Sequence, residues 1–451
     1  MELFSQDTIA AVATPAGRGG VGIVRVSGPR CRAIAQAMLG FIPAARQAHF
    51  CSFLGPDGDV IDQGIALLFS APASFTGEDV LELQGHGGRV VMDMVLQTTL
   101  THGARLARPG EFSERAFLND KIDLAQAEAI ADLIDSDSQQ AARSALRSLQ
   151  GEFSLRIQSL VSELIGLRSF VEAAIDFVDE EIDFLSDGQV EQKLHDLRLA
   201  VGSIIIEAGQ GVLVHDGIRL AIIGPPNAGK SSLLNYLSGN DRAIVTELAG
   251  TTRDVLHEHI VIDGLPLHIV DTAGLRDSED PIERIGIERA LIEVEQADML
   301  LLVFDDRMFD AALLQSILEQ VSDRVPVLLV RNKIDLSGAE AAVTHHERYH
   351  QITVSIKTAL GIENLKGQLL EQAGYHPGHE NTFSARRRHL DALNRAAACL
   401  EKGERQLQEH HAGELLAEEL RLAQNALAEI TGEFSSDDLL GQIFSSFCIG
   451  K

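Results

Sequence analysis

An eight-residue segment near the middle of the chain has the residue types that bind nucleotide phosphates. The segment GPPNAGKS, residues 224–231, follows the apolar run Ile218 to Ile223, and Ser232 continues into a stretch with helical spacing. In the order strand, glycine-rich loop and helix, backbone N–H groups and the helix N-terminus surround phosphate oxygens. Lys230 adds a positive charge for the β- and γ-phosphates, and the Ser231 hydroxyl suits Mg²⁺. The segment predicts a nucleoside triphosphate site.

A second polar element follows the next apolar strand pattern. The segment DTAG, residues 271–274, comes directly after Leu267 to Val270. The Asp271 carboxylate can hold the hydration shell of Mg²⁺, and the Gly274 N–H can reach the γ-phosphate. Its place at a strand end, after the phosphate loop, favours a nucleotide hydrolase over a chance glycine-rich turn.

Two further elements predict that the base is guanine. The segment NKID, residues 332–335, follows Val327 to Val330, and SIK, residues 355–357, follows a short strand pattern. The Asp335 carboxylate can accept both the N1–H and the N2 amino hydrogens of guanine. Adenine lacks this pair of donors and would leave the carboxylate unsatisfied, so the element selects GTP. A GTP-binding domain is predicted over residues 216–376.

Bulk composition limits the class of protein. The 451 residues are enough for about three domains, and a hydrophobic content of 45% supports packed cores. The net charge of −28 argues against wrapping nucleic acid by charge alone, although a local basic patch or a basic partner stays open. The four cysteines lack metal-binding spacing and suit a reducing cytosol. The N-terminus resembles no targeting peptide and apolar runs are strand-sized, so a cytoplasmic protein without membrane or DNA partners is expected.

The pattern along the chain predicts a multidomain protein of α/β and α parts. Residues 1–118 read as an N-terminal α/β domain. Helical spacing dominates residues 119–215 and returns in residues 377–451, on both sides of the GTP domain. We therefore expect one discontinuous helical domain with a Ras-like P-loop GTPase domain inserted into it. Because both ends of the GTPase domain join one helical body, the helices are expected to act as a lever.

The residue that orients the attacking water is not at its usual place. Many small GTPases have Gln directly after the DTAG element, but this chain has Leu275, whose apolar side chain cannot orient water. The acidic residues a little downstream are candidates, and Glu283 is preferred because it opens a helical pattern. A plain role as a carboxylate at a helix N-terminus is the alternative.

A cation could replace the arginine finger of other GTPases. Asn227 in the phosphate loop offers a side-chain carbonyl, and the loop from Thr246 to Thr251 offers backbone carbonyls, an oxygen-only set that suits potassium. The Thr252 hydroxyl, like Ser231, can bind Mg²⁺. We hypothesise that this loop becomes ordered when two GTPase domains meet, so that dimerisation and potassium binding are one event.

The N-terminal domain and the C-terminal tail contain residues with open roles. Glycine clusters follow two strand patterns of the N-terminal domain, as tight turns or as a ligand cradle. Arg25 and Glu82 are a charge pair beside strands, for a polar ligand or for internal pairing. Cys448 is fourth from the end, but Ile449-Gly450-Lys451 is a poor prenylation match.

Motifs over the whole length resemble one family, the tRNA modification GTPase MnmE, also called TrmE. They are PAGRGGVG (15–22), FTGEDVLELQGHGG (75–88), RPGEFSERAFLNDK (108–121), GPPNAGKS (224–231), GTTRD (250–254), DTAGLR (271–276), IERIG (282–286) and FCIGK (447–451). The tail motif is the most specific. One departure is Ile356, where many GTPases have Ala in the base-packing loop, which should alter packing rather than specificity.

The resemblance implies a homodimer that binds 5-formyl-tetrahydrofolate or a related one-carbon folate through its N-terminal domain. It also implies a complex with the FAD-binding MnmG that builds the (carboxymethyl)aminomethyl group at C5 of the wobble uridine, position 34, of certain tRNAs. Cys448 matches the family's tail cysteine, with its role open. The alternatives are an Era-like ribosome-assembly factor, which would usually carry a basic RNA-binding module, and a signalling switch, which would not need the flanking domains.

The resemblance and the motifs assign site residues as follows. Folate contacts are Arg25, Glu82, Lys121 and Lys451. The K⁺ ligands are Asn227, Thr246, Leu248 and Thr251, the Mg²⁺ ligands are Ser231 and Thr252, and Glu283 is catalytic. The GTP contacts are Asn227, Ala228, Gly229, Lys230, Ser231, Ser232, Thr246, Glu247, Leu248, Ala249, Gly250, Thr251, Thr252, Asp271, Thr272, Ala273, Gly274, Asn332, Lys333, Asp335, Ser355, Ile356 and Lys357.

Overall fold

The computed structural model describes residues 7–176, 189–240, 259–270, 297–377, 383–410, 412–433, 437–445, 447 and 450. The chain divides by its contacts into two compact units. The first contains Met1–Ala131, Leu149–Gly166 and Arg421–Lys451. The second contains Asp132–Ser148 and Leu167–Leu420. Both units therefore combine segments that are distant in sequence.

The first unit is built on a mainly antiparallel sheet. In its described part the strands are β1 (Ile9–Val12), β2 (Gly22–Ser27), β3 (His49–Leu54), β4 (Val60–Phe69), β5 (Val80–Gly85) and β6 (Arg105–Leu106). They lie in the order β3-β4-β5-β2-β1-β6, and β1 and β6 are parallel. The pairing of β2 with β5 sets Arg25 directly opposite Glu82. The sheet register therefore decides which polar side chains meet.

Three helices belong to this sheet domain. They are α1 (Cys31–Leu39), α2 (Arg89–Thr101) and α3 (Glu111–Leu118). The apolar residues of α1 and α2 bury against one face of the sheet, with Ile34, Met38 and Val95 packed among strand residues such as Val24 and Leu81. On β2, successive side chains point to opposite faces of the sheet, so Val24 and Val26 both point toward these helices.

The next described helices in sequence are α4 (Leu124–Ile134), α5 (Gln139–Leu149) and the long α6 (Glu152–Asp176) and α7 (Gln189–Asp216). Gly151, between α5 and α6, has a φ of +90°, a conformation that glycine adopts without strain and that ends the first helix. Of the described helices, α7 is long and apolar enough to cross a membrane by length and composition, a test that the core helix of a globular protein also passes.

The second unit contains a mostly parallel sheet. The described strands and α-helices from residue 218 to residue 372 are β7 (Ile218–Ile223), α8 (Lys230–Asn240), β8 (His259–Ile262), β9 (Leu265–Val270), β10 (Met299–Asp305), α9 (Ala311–Leu318), β11 (Val327–Asn332), α10 (Ile334–Ser337), β12 (Val343–His345), β13 (His350–Thr353) and α11 (Ile362–Gln372). The strand order is β12-β13-β11-β10-β7-β9-β8, with antiparallel pairing at the two edges. β7 lies between β9 and β10, so its carboxyl end is a switch point at which α/β sheets bind ligands.

Helices after this sheet complete the described chain. They are α12 (Arg387–His410), α13 (Gly413–Thr431) and α14 (Asp437–Ser445). α12 packs along α7. α7 precedes the parallel sheet in sequence and α12 follows it, so the sheet is an insertion between two helices that contact each other.

Candidate functional site

The phosphate loop lies at the carboxyl end of β7, against the neighbouring strand β10. A Cβ on Gly224 would overlap the carbonyl oxygen of Val303, and a Cβ on Gly229, whose φ is +103°, would overlap the Asn332 side-chain amide. Only glycine lets the loop backbone approach so closely at both ends. The loop therefore curls tightly over the sheet, with α8 beginning at Lys230.

Lys230 lies over the loop that it follows. Its ammonium donates hydrogen bonds to the carbonyl oxygens of Gly224, at 2.7 Å, and Pro225, at 2.9 Å. These bonds keep the charge above the loop. Ser231 and Ser232 follow in the first turn of α8 with exposed side chains. A cation, hydroxyls and a helix N-terminus therefore share one face of the loop, which is the arrangement that binds phosphate.

Asn332, at the end of β11, joins three of the predicted nucleotide elements. Its side chain is buried, with an exposed fraction of 3%. Nδ2 donates to the Ala228 carbonyl at 2.9 Å, while Oδ1 accepts from the backbone N–H groups of Lys333, at 2.7 Å, and Ile356, at 3.3 Å. The phosphate loop and the two base-binding segments are therefore fixed to one another by a single amide.

The carboxylate that is predicted to read guanine is held in place by a buried hydroxyl. Ser355 Oγ donates to Asp335 Oδ1 at 2.7 Å and accepts from the Thr358 N–H at 3.3 Å. Ser355 itself is fully buried. Because its partner is fixed, the Asp335 carboxylate has a defined orientation. Lys357, next to Ile356, is exposed.

Lys333 links the base-binding segment to the phosphate loop by a second route. Its backbone has a left-handed φ of +67°. Its ammonium donates to the backbone carbonyl of Asn227 at 2.5 Å and forms an ion pair with Asp305 Oδ2 at 3.0 Å. The side-chain hydrogen bond from Arg307 and that from Lys333 hold the pKa of Asp305 well below its usual range. Asp305 is not predicted from the sequence, where its signal is an acidic end to the apolar run of β10.

Many of the predicted site residues lie outside the described residues. They are Thr246, Glu247, Leu248, Ala249, Gly250, Thr251, Thr252, Asp271, Thr272, Ala273, Gly274, Glu283, Cys448 and Lys451. In the part of the chain that the structure describes, no group of three or more His, Cys, Asp or Glu residues is arranged to hold a metal.

In the first unit, Arg25 and Glu82 pair with each other. Glu82 Oε1 accepts from Arg25 Nε at 3.0 Å and from Nη2 at 2.9 Å. The guanidinium lies 5.9 Å from the ring centre of Phe75 and 5.8 Å from that of Phe112. Arg25 Nη1 also donates to the Gly450 carbonyl, at 3.4 Å, which brings the C-terminal tail to the pair. The internal pairing that the sequence left open is observed.

Lys121 lies on a neighbouring segment. Its ammonium donates to the Pro72 carbonyl at 3.0 Å. A Cβ on Gly77 would lie 3.4 Å from Lys121 Cγ, so the lysine stem runs beside the turn that follows Phe75. Phe75 thus lies near Arg25, and Gly77, two residues later, lies beside Lys121.

A buried ion network that the sequence analysis did not predict supports this region. Arg115 donates to Glu78 at 3.0 Å and to Glu111 at 3.2 Å, and Arg105 donates to the same Glu111. Burial acts to raise the pKa of Glu111, but the hydrogen bonds from Arg105 and the Arg108 N–H, together with the nearby arginine charges, outweigh it, so this pKa is lowered. Glu111 adjoins Phe112 in sequence, so the network fixes one of the rings that flank Arg25.

Comparison with known proteins decides the family. The profile described as GTP-binding protein TrmE N-terminus matches residues 8–121, and the MnmE helical domain profile matches residues 124–448. The tRNA modification GTPase MnmE of Pasteurella multocida is 58% identical over 451 residues, which cover 99% of this chain and 100% of that protein. The chain belongs to the MnmE family.

Other members give the same result. The tRNA modification GTPase MnmE of Stutzerimonas stutzeri is 60% identical over 453 residues, with 99% of each chain covered. Among solved structures, the FeoB G-domain of Methanococcus jannaschii is 25% identical over 35% of this chain and 98% of that one. Its TM-score of 0.27 is too low to support an inference. The MnmE assignment therefore rests on the sequence relatives and the two family profiles.

Proposed function

We propose that this MnmE-family chain is a potassium-dependent GTPase that works with the flavoprotein MnmG on C5 of the wobble uridine of certain tRNAs. Membership of the MnmE family makes the chain a GTP hydrolase of tRNA modification. In this chain, GTP binding is supported most directly by the Asn332 amide, which joins the phosphate loop to both base-binding segments. The product would be the (carboxymethyl)aminomethyl group.

The described residues would bind GTP at both ends. At the phosphate end, two loop carbonyls hold the Lys230 ammonium over the loop, where it would exchange them for phosphate oxygens. At the base end, Asp335 would accept the two guanine N–H donors while Ser355 keeps its carboxylate from rotating. An adenine would leave that carboxylate unpaired and therefore bind more weakly.

Two cations are part of the proposal. Ser231 and Thr252 would hold Mg²⁺, and Asn227 with Thr246, Leu248 and Thr251 would hold K⁺. The chemistry of this donor set fits, because amide, hydroxyl and backbone oxygens are ligands for hard cations. The bond from Lys333 to the Asn227 carbonyl supports it further, since it fixes Asn227 in its left-handed φ of +60°. When bound, potassium supplies positive charge for the developing negative charge of phosphoryl transfer.

Water positioning is proposed for Glu283, because Leu275 has no polar atom for that role. Two GTPase domains of a homodimer would meet across this face and order the loop that supplies Thr246 to Thr251. Such a protein would work in the cytoplasm.

The Arg25 region would bind the folate. A pterin ring carries a pair of N–H donors like those of guanine, and Glu82 is a half-buried carboxylate that can accept them. Phe75 is exposed and offers a ring face next to Arg25, whereas the buried Phe112 only packs against the guanidinium. Lys121 and Lys451 would contact the charged tail of the ligand. The existing Arg25–Glu82 pair pre-orients the carboxylate for such a ligand.

The role in tRNA modification is tested by nucleoside mass spectrometry. Bulk tRNA is taken from cells depleted of the protein and complemented with the wild type or with Lys230→Ala. We expect loss of the C5-aminomethyl-type wobble uridines, restored only by the wild type. An unchanged nucleoside profile with a ribosomal-subunit assembly defect would overturn the modification role and favour the Era-like alternative.

The cation proposal has a separate test. GTP turnover is measured with equal ionic strengths of KCl and NaCl, for the wild type and Asn227→Ala. We expect the wild type to be at least about tenfold faster in potassium, because a missing finger charge can cost roughly 3–5 decades in rate. Asn227→Ala should be slow in both salts. Equal wild-type turnover in sodium and potassium would contradict the proposal.

A further inference from the structure

The closed end of the hairpin of β8 and β9 is held by Ser138, just before α5, and by Tyr375, which follows α11. The Gly264 carbonyl in the turn accepts from Ser138 Oγ at 3.3 Å, and the Asp263 carbonyl accepts from Tyr375 Oη at 3.2 Å. A Cβ on Gly264 would lie 3.1 Å from Gln140 Cβ at the start of α5. By sequence, β9 ends one residue before Asp271 of the predicted γ-phosphate element. The hairpin therefore runs from a contact beside α5 toward the predicted γ-phosphate element.

His268, in the middle of β9, contacts the point at which the chain enters the GTPase domain. Its Nε2 donates to the Asp216 carbonyl at 2.8 Å. The neighbouring Gly217 has a φ of +64°, and a Cβ there would lie 2.7 Å from His268 Nε2. The entry point thus needs glycine both for its backbone conformation and for the approach of this histidine. From His268 the strand covers only about 10 Å to reach Asp271, at roughly 3.3 Å per residue.

Asp132, at the end of α4, joins the entry and the exit of the GTPase domain. Its carboxylate accepts from His215 Nε2 at 2.9 Å, at the last turn of α7. It also accepts from Ser384 Oγ at 2.5 Å and Arg386 Nη2 at 2.5 Å, in the segment that returns the chain to α12. The side chain of Asp132 is 5% exposed, so all of these partners meet in a nearly dry site.

The same cluster continues to His268. His215 Nδ1 bonds to Asp216 Oδ1 at 2.8 Å, and Asp216 Oδ2 accepts from Arg387 Nε at 2.8 Å. A series of hydrogen bonds therefore runs from Asp132 through His215 to the Asp216 carboxylate, and the backbone carbonyl of the same Asp216 accepts from His268 on β9. Each of these four residues is hydrogen-bonded to the next. A displacement of β9 would therefore change several of these bonds together.

We propose that Asp132 and His268 are positioning residues that couple the GTPase domain to the helices, so that tRNA modification depends on them while GTP hydrolysis does not. The proposal rests on the function proposed above. The GTPase domain has two covalent connections to the helices, at Asp216 and before Arg387, and Asp132 bonds to residues beside both. His268 adds the strand that leads to the γ-phosphate element. A movement of β9 with nucleotide state is thereby passed to α4 and α12.

The test separates hydrolysis from modification. His268→Leu removes the donor to Asp216, and Asp132→Asn removes the charge that faces Arg386 and His215. Each variant is assayed as full-length protein for GTP turnover and, in complemented cells, for the modified wobble uridine. We expect turnover within about twofold of the wild type and modification reduced by about tenfold, inside the usual range of one coupling between sites. His268→Gln, whose amide N–H can replace the ring donor, should restore modification.

A matched control distinguishes coupling from loss of stability. Asp310 caps α9 in the same domain, with Oδ1 accepting from the N–H groups of Ala312 and Leu313. Asp310→Ala lowers stability without touching the series, and it should leave modification intact. Wild-type modification in His268→Leu, a parallel fall of turnover and modification, or an equal loss in Asp310→Ala would each overturn the coupling. Failure of the wild type itself to restore modification would instead overturn the proposed function.

Discussion

One buried amide carries much of the geometry of the nucleotide site. Asn332 uses both ends of its side chain, the amide N–H toward Ala228 and the carbonyl toward Lys333 and Ile356. A buried polar group that loses its partner costs about 1–3 kcal/mol. The loops therefore depend on this residue even though it need not touch the nucleotide.

Asn332→Ala tests that dependence. The change leaves the Ala228 carbonyl and two backbone N–H groups without their partner, so the phosphate and base loops lose this link and keep the bond from Lys333 to Asn227. We expect GDP affinity to fall by at least about tenfold, since each group left unpaired costs about 1–3 kcal/mol. Titration calorimetry measures it. Asn394→Ala, at an exposed position on α12, is the control and should bind like the wild type.

Asp335→Asn tests how the base is read. The Ser355 hydroxyl still fixes the side chain, but one acceptor becomes an amide donor that faces the guanine donors. GTP affinity should fall by at least about a hundredfold, in the range seen when a buried polar partner is mismatched. Xanthosine triphosphate, which has a carbonyl where guanine has the amino group, should gain affinity. Unchanged preference for GTP in competition binding would show that Asp335 does not read the base.

The chemistry of these residues was predictable from sequence, but their linkage was not. The strand-end positions of Lys230, Asn332 and Asp335 predict one shared edge, because parallel strands end together. Asp305 gave no such signal, since an acidic residue at a strand end is common and its contact with Lys333 depends on the neighbouring strand. Pairing of Arg25 with Glu82 likewise depends on the β2–β5 register, which local sequence does not determine.

At the scale of elements, the strongly periodic segments were predictable and the short ones were not. The strand expected from the apolar run before the phosphate loop appears as β7. β6 was missed because it has only two residues and exists through its pairing with β1. β3 was missed because only one of its side chains is fully buried, so its sequence carries a weak apolar pattern.

The junction of α7 with β7 has a pH dependence that can be measured. The bonds from His215 to Asp132 and Asp216 raise the pKa of the histidine to about 9, although burial opposes this. An unfolded histidine has a pKa of about 6.5. The folded state therefore binds the proton more tightly, and its stabilisation is complete below about pH 6.5 and is lost as the pH rises through about 9.

His215→Gln should remove that dependence. The thermal midpoint of the wild type should exceed that of the variant near pH 6, and the difference should shrink by about pH 9.5. Differential scanning fluorimetry across this range measures both proteins. His410→Gln, at an exposed position on α12, is the control and should follow the wild type. A constant difference between wild type and His215→Gln at all pH values would show that the histidine is not charged in the folded state.

At the scale of the whole molecule, charge decides how tRNA can be bound. The chain carries 66 acidic and 38 basic residues, for a net charge of −28. A protein that binds tRNA by itself gains affinity by releasing counterions from phosphates, which requires many lysines and arginines on one surface. An acidic chain that acts on tRNA is therefore expected to share the binding surface with a partner, proposed above as MnmG.

Salt titration of tRNA binding tests this division of labour. For the chain alone, the plot of log affinity against log salt should be shallow, equivalent to roughly three phosphate contacts or fewer. With MnmG added, both the affinity and the slope should increase, because the partner brings basic side chains to the phosphates. Fluorescence anisotropy with labelled tRNA measures both slopes, with MnmG alone as the control. Tight tRNA binding with a steep slope by the chain alone would mean that the chain has a complete basic tRNA-binding surface despite its negative net charge.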